Sequence, residues 1–222
     1  MRFLTRSATS CRSARRVITF VRPVMAAERP SILPLALQMR AVCVRSAPRL
    51  NIMGKRSDYP RRERDFYPTP ESAVLPLLDE LRPETVFDEP CCGDGSLVRA
   101  LESHGHYCLK ASDIEAGGDA LEIQHSDAMC FITNPPWSRP ILHDMILHLS
   151  KLRPTWLLID AGWMHTKQSI QFMDYCLKIV SIGRVKWIEG SKHTGKDDCV
   201  WMHFDHRYKT LSHPIMFKAR SL

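Results

Sequence analysis

A short strand-forming run, Met129 to Thr133, stops abruptly at Asn134-Pro135-Pro136-Trp137, and this junction restricts the fold more than any other stretch. Neither proline has an N–H to give a sheet ladder, so the strand ends there. A plain turn would use Gly or Asp and would rarely place an indole directly behind it. The segment therefore reads as a buried strand whose carboxyl end carries a rigid, aromatic-bearing loop.

The flanking residues alternate between strand and helix patterns from Asp65 onward. In "YPTPESAVLPLLDELRP", Thr69 is suited to an N-cap, Pro70 to the first helical position and Glu71 to the first turn. "ETVFDEP" is a strand running into "CCGDG", and "SLVRALESHG" is a helix ended by Gly105. "HYCLKASDI" is the next strand, and "ILHDMILHLSKL" is an amphipathic helix. "TWLLIDAGW" is a buried strand and "KQSIQFMDYCLKI" a helix. "VSIGRVKWIEG" and "DCVWMHFDH" are two final strands joined by "SKHTGKD". Strands alternating with helices predict an α/β fold with a parallel sheet. The last connection is too short for a crossover helix, so those two strands are expected as an antiparallel hairpin at the sheet edge.

The net charge of +7 suggests a nucleic-acid partner until its distribution is followed. Residues 1–52 hold ten Arg and one acidic residue, and residues 53–64 hold five basic and two acidic residues. Residues 65–222 hold 16 basic and 21 acidic residues, so the globular part is mildly acidic. Arg- and Ser-rich and acid-poor, residues 1–52 read either as an extension outside the mature fold or as an organellar transit peptide. Residues 53–64 form a basic arm, and residues 65–222 a single domain. The apolar run "ILPLALQMRAVCV" is broken by Pro34 and Arg40, so no membrane span is expected. The eight cysteines contain no C-x2-C pair, and they are expected as free thiols in a reducing compartment. No His or carboxylate set shows ligand spacing, so no metal is expected.

Three constellations carry chemistry. Gly93 and Gly95 in "DEPCCGDG" lie between a strand and a helix, where missing Cβ atoms let backbone approach a bound nucleoside. The spacing is not G-x-G-x-x-G and no phosphate-loop lysine follows, which disfavours a pyrophosphate ligand. Asp113 stands about 20 residues further on at the next strand end, where a carboxylate can accept from both hydroxyls of a ribose. Asp119 is placed to receive an adenine amine, or simply to cap its own turn. The third constellation is the opening one. An exocyclic amine conjugated to a purine or an amide is a poor nucleophile, and methylating it requires acceptors for both N–H bonds. Asn134 Oδ1 and the Pro135 carbonyl can supply these, with the backbone stiffened by Pro135 and Pro136. Trp137 can then stack on the flat group, as flipped-base enzymes require.

Residues 65–205 resemble the class I S-adenosylmethionine-dependent methyltransferases, and most closely the adenine-specific DNA amino-methyltransferases, including small phage-type members. "FYPTP" looks like that family's N-terminal cofactor element, "EPCCGDG" like its glycine loop, "SDI" like its ribose acid and "NPPW" like its catalytic tetrapeptide. Their order matches the gamma arrangement. The resemblance implies a Rossmann-like α/β fold with a mostly parallel seven-stranded sheet and an antiparallel C-terminal hairpin. It implies S-adenosyl-L-methionine as cofactor and adenine N6 in DNA as target. Phe66, Tyr67, Thr69 and Pro70 would line the methionine side, and Glu89, Gly93, Gly95 and Asp113 the rest. Asn134, Pro135, Pro136 and Trp137 would hold the amine. Similar tetrapeptides serve relatives that methylate adenine in RNA or a protein glutamine amide. A silent nucleic-acid-binding module is the reading from another class, and the intact Asn134 and glycine loop speak against it. A bacterial or phage-host cytoplasm is implied, or a mitochondrion if residues 1–52 are a transit peptide.

The chain departs from larger relatives in lacking a separate target-recognition domain, since 85 residues follow Trp137. Recognition of DNA, or of RNA, is then expected from the Lys55–Arg64 arm and from Lys192, His193 and Lys196. Trp163 and His165 are further candidates for the border of the target pocket.

Overall fold

The computed structural model describes residues 67–188, 190, 192, 194–208 and 214–220. Phe66, His193, the basic arm, the N-terminal extension and its apolar run lie outside the described residues. The chain forms α1 (Glu71–Leu78), β1 (Val86–Glu89), α2 (Ser96–Ser103), β2 (Tyr107–Ala111), β3 (Cys130–Thr133) and α3 (Arg139–Leu152). It continues through β4 (Thr155–Asp160), α4 (Ile170–Met173), β5 (Cys176–Arg184), β6 (Asp198–Phe204) and β7 (Met216–Lys218). One seven-stranded sheet has the order β2-β1-β3-β4-β6-β5-β7. Every neighbouring pair is parallel except β4–β6 and β5–β6. The expected α/β architecture, with seven mostly parallel strands and an antiparallel hairpin, is therefore what the chain adopts.

Alternation along the strands divides the core between the two sheet faces. Trp156 and Leu158 of β4 join Val180, Ile182 and Trp201 against α1 and α2. Their neighbours Leu157 and Ile159 join Val200, Met202 and Phe204 against α3 and Trp163. The Trp201 indole N–H donates to the Ala73 carbonyl (2.7 Å), tying β6 to α1 through a buried bond.

Three local expectations are corrected. The helix expected over "KQSIQFMDYCLKI" is only Ile170–Met173, and the chain is already extended at Cys176. Cys176, Ile179 and Val180 are buried while paired with β6, so ladder formation overrides the local helical period. The hairpin is not at the edge: β6 inserts between β4 and β5, and β7 covers the outer side of β5. Cys199, Val200, Trp201 and Met202 are consecutive buried residues, and such a run needs cover on both faces. Finally, Thr69 does not cap α1; the capping position is Pro70, with no side-chain bond.

The chain runs outward from β1 to β2 and then returns to the other side of β1 as β3. The carboxyl ends of β1 and β3 therefore flank a topological switch point, where open α/β sheets form their ligand crevice.

Candidate active site

The turn after β1 is built from backbone geometry that side chains would obstruct. Gly93 and Gly95 have φ of 50° and 77°. Gly95 also begins α2, and a Cβ there would stand 3.2 Å from Arg99 Nη1. The two residues after β2 hold this turn in place: Cys92 N–H donates to Ser112 O (2.9 Å) and Gly93 N–H to Asp113 Oδ2 (2.9 Å). Asp113 Oδ1 accepts from Glu115 N–H (3.0 Å). Each carboxylate oxygen thus has one donor and retains a lone pair for a ligand hydroxyl.

Glu89, the last residue of β1, is only 1% exposed. Burial, with the nearby charges of Asp113 and Asp94, pushes its carboxyl up to about 9 against one bond from the Val98 backbone. Its Oε2 is buried without a partner among the described residues. An orphaned buried acid beside a glycine turn fits a site awaiting a cationic or hydrogen-bonding ligand. Burial also pushes the Cys91 thiol up to about 12 and raises that of Cys92, so neither is an activated nucleophile.

The second half of the site follows β3. Asn134 Nδ2 donates to the Thr69 hydroxyl (3.2 Å) and lies 3.4 Å from the Tyr67 carbonyl. A carbonyl can only accept, so this contact fixes which end of the amide faces inward. Asn134 Oδ1 is left without a donor among the described residues. Pro135 is buried, and no donor among them bonds its carbonyl. The Trp137 indole N–H donates to Leu158 O (3.0 Å), clamping the loop to β4.

Trp187 was not anticipated from the sequence. Its ring meets Trp137 edge-on, with centroids 5.9 Å apart, and Tyr67 at 6.1 Å. The loop that carries it closes through Gly195 N–H to Val185 O (2.7 Å). A Cβ at residue 195 would come within 3.1 Å of the Trp187 ring, so a glycine there gives the indole its room. An aromatic in an irregular loop has no periodic signal; only its place after β5 brings it to the Trp137 side.

No family model and no curated protein matches the chain. Solved structures similar to it include a dimethyladenosine transferase from Plasmodium falciparum, 14% identical over 63% of this chain and 62% of that one, with a TM-score of 0.42. The 23S rRNA methyltransferase ErmE is 11% identical over 62% and 68%, also at 0.42. A type I restriction-modification system methyltransferase subunit from Streptococcus thermophilus is 8% identical over 61% and 42%, at 0.38. The chain spans less than two thirds of the first and the third. With every one of these TM-scores below 0.5, the chemistry of the site is read from the chain's own residues.

The remaining candidates divide clearly. Tyr67, Thr69 and Pro70 precede α1, and the first two touch Asn134. The Asp119 carboxylate accepts from Leu121 N–H (2.8 Å), capping its own turn. Trp163 is 2% exposed and donates to His143 Nε2 (3.0 Å), packed among Leu142, Ile146 and Phe172 rather than bordering Asn134. Lys192 and Lys196 are exposed on the β5–β6 loop. Among the described residues, no three His, Cys, Asp or Glu side chains are grouped to hold a metal.

Proposed function

We propose that this chain is an S-adenosylmethionine-dependent N-methyltransferase acting on the 6-amino group of adenine in DNA. One observation carries the reading: the Asn134 amide is held through Nδ2 by Thr69 and Tyr67, which leaves Oδ1 free next to Pro135, and Trp137 of the same loop joins Trp187 and Tyr67 in an aromatic trio. Two stiff acceptors beside clustered aromatic rings suit a flat heteroaromatic amine with two N–H bonds.

The residues of the first half fit the cofactor. Asp113 retains lone pairs for ribose hydroxyls, the two glycines clear space for the nucleoside, and buried Glu89 offers an unpaired oxygen. Bound S-adenosylmethionine supplies an electrophilic methyl group. Asn134 Oδ1 and the Pro135 carbonyl accept the two amine N–H bonds, which directs the nitrogen lone pair out of conjugation. Their alignment lowers the barrier by orientation and by accepting the positive charge that grows on the amine nitrogen. Trp137 bonds Leu158, so its ring is held before the base arrives.

Mass spectrometry of nucleosides digested from co-expressed DNA and RNA tests the substrate. N6-methyldeoxyadenosine is expected. A peak of N6-methyladenosine alone would move the activity to RNA, and label transferred only to protein would move it to an amide.

A further inference from the structure

A cavity of about 330 Å³ opens between α1 and the outer strands β5 and β7. Ser72, Asp79, Ser181, Arg184, Lys218 and Arg220 contribute its polar lining. Topology fixes its place relative to Asn134. Strand β6 opposes both β4 and β5, so β5 runs with β3 and β4, and β7 runs with β5. Arg184 ends β5 and Arg220 lies two residues past β7, so both lie toward the sheet end that carries Asn134, on strands three and four places from β3.

The cations lining this cavity differ in their partners. Lys218 pairs in register with Val180, in the row of Leu158 and Trp201 that Asn134 follows, and its ammonium is taken by Asp79 (2.8 Å) and Glu80 (3.3 Å). Further along the strands, Arg184 and Arg220 make no salt bridge among the described residues, although Arg184 stands opposite Asp198 in the β5–β6 ladder. The Arg220 side chain lies across β5 at Gly183, whose φ is 80°, and a Cβ there would stand 2.8 Å from Arg220 Nη1. A glycine beside a β-bulge thus makes the space this guanidinium occupies. Beyond Arg184 the chain passes Val185, which also lines the cavity, and reaches Trp187 against Trp137. Arg184 thus stands three residues before Trp187, and Arg220 reaches the same strand at Gly183.

We infer that Arg184 and Arg220 hold backbone phosphates of a nucleic-acid strand beside the base presented to Asn134. This rests on the proposed function and names its substrate as a phosphodiester strand. Guanidinium forks match phosphate oxygens in pairs. Residues 65–222 are acidic overall, with 16 basic and 21 acidic residues, so within them attraction to a polyanion depends on local cations such as these and Lys192 and Lys196.

The decisive measurement is fluorescence anisotropy of a labelled adenine-containing oligonucleotide, as single- and double-stranded DNA and as RNA. It is titrated with the full chain between 50 and 300 mM salt, independently of turnover. Each phosphate contact contributes about 0.7–0.9 to the slope of log affinity against log salt. Arg184→Gln/Arg220→Gln is expected to lower that slope by about 1.4–1.8 and to weaken binding at least tenfold at low salt. Lys151→Ala, at the far end of α3, should leave both unchanged. The two single variants, each expected to lose about half the effect, serve if the double variant has a lowered melting temperature. Unchanged slope and affinity in folded variants would overturn the assignment of the cavity while leaving the methyltransferase proposal standing. Wild-type protein that binds none of the three oligonucleotides would overturn the nucleic-acid substrate and this inference together.

Discussion

The two halves of the site are built by opposite means. The turn after β1 uses glycines at positive φ, a strand-end carboxylate that holds the turn by its backbone, and a buried acid with a spare oxygen. The loop after β3 uses prolines, a neutral amide fixed at one end, and Trp137, which Trp187 from the loop after β5 meets beside Tyr67. The first suits a ligand rich in hydroxyls and positive charge, the second a flat neutral group that needs acceptors. Thr69 and Tyr67 connect them, since they belong to the segment before α1 yet bond the amide after β3.

Removing the proposed amine clamp gives the largest expected effect. Asn134→Ala should lower kcat by about 10²–10³-fold, the range for losing one preorganised polar group at a reacting centre. Calorimetry should find cofactor affinity within about threefold of wild type; a comparable loss there would dissolve the division into halves. On the other side, Asp113→Ala should weaken cofactor binding about 10–100-fold, the cost of charged hydrogen bonds. Part of that loss would arise because Gly93 and Glu115 lose the acceptor that shapes their turns. The saturated kcat should move much less than affinity.

Glu89 makes a prediction in pH. Its folded-state value, about 9, lies above the ordinary carboxylate value of 4.5. The folded protein therefore holds a proton that the unfolded chain releases, and the stabilisation is complete below 4.5 and lost as pH rises toward 9. Wild-type melting temperature should fall across that window, while Glu89→Gln, neutral throughout, should show a flatter profile. If a cationic cofactor is met by the carboxylate, wild-type affinity should also rise by up to about tenfold per pH unit below 9. A pH-independent affinity would assign Glu89 to the fold alone.

Thr69→Val gives the smallest and most discriminating effect. The substitution keeps the shape and removes the acceptor at Asn134 Nδ2, so kcat should fall about fivefold for one neutral hydrogen bond. Thr69→Ser should restore it, and cofactor affinity should hold in both variants. A change in affinity with kcat intact would instead return Thr69 to the cofactor side, where the sequence resemblance puts it.

Much of this site was legible because its parts sit at strand ends. Glycines, a strand-end acid and a proline stop each announce a chain leaving a sheet, and parallel strands leave on one side. Hence Glu89, Gly93, Asp113 and Asn134 share a rim in the structure as their spacing implied. Asp119 was ambiguous because a turn carboxylate caps its own backbone as readily as it meets a ligand. Trp187 was illegible, because an indole in a loop is placed by the strand before it and by Gly195. The β5 segment was misread because Ile170–Met173 carries a helical pattern straight into residues that pair with β6.

By itself the sequence determined the α/β alternation, the glycine turn, and the halted strand that leaves Asn134 and Pro135 rigid, because these follow from local backbone sterics. Only the tertiary structure decided that Thr69 serves Asn134 rather than α1, that Trp187 joins Trp137, and that Arg184 and Arg220 share a cavity between α1 and the outer strands. Those juxtapositions depend on strand order and register, which set distances between residues far apart in the chain.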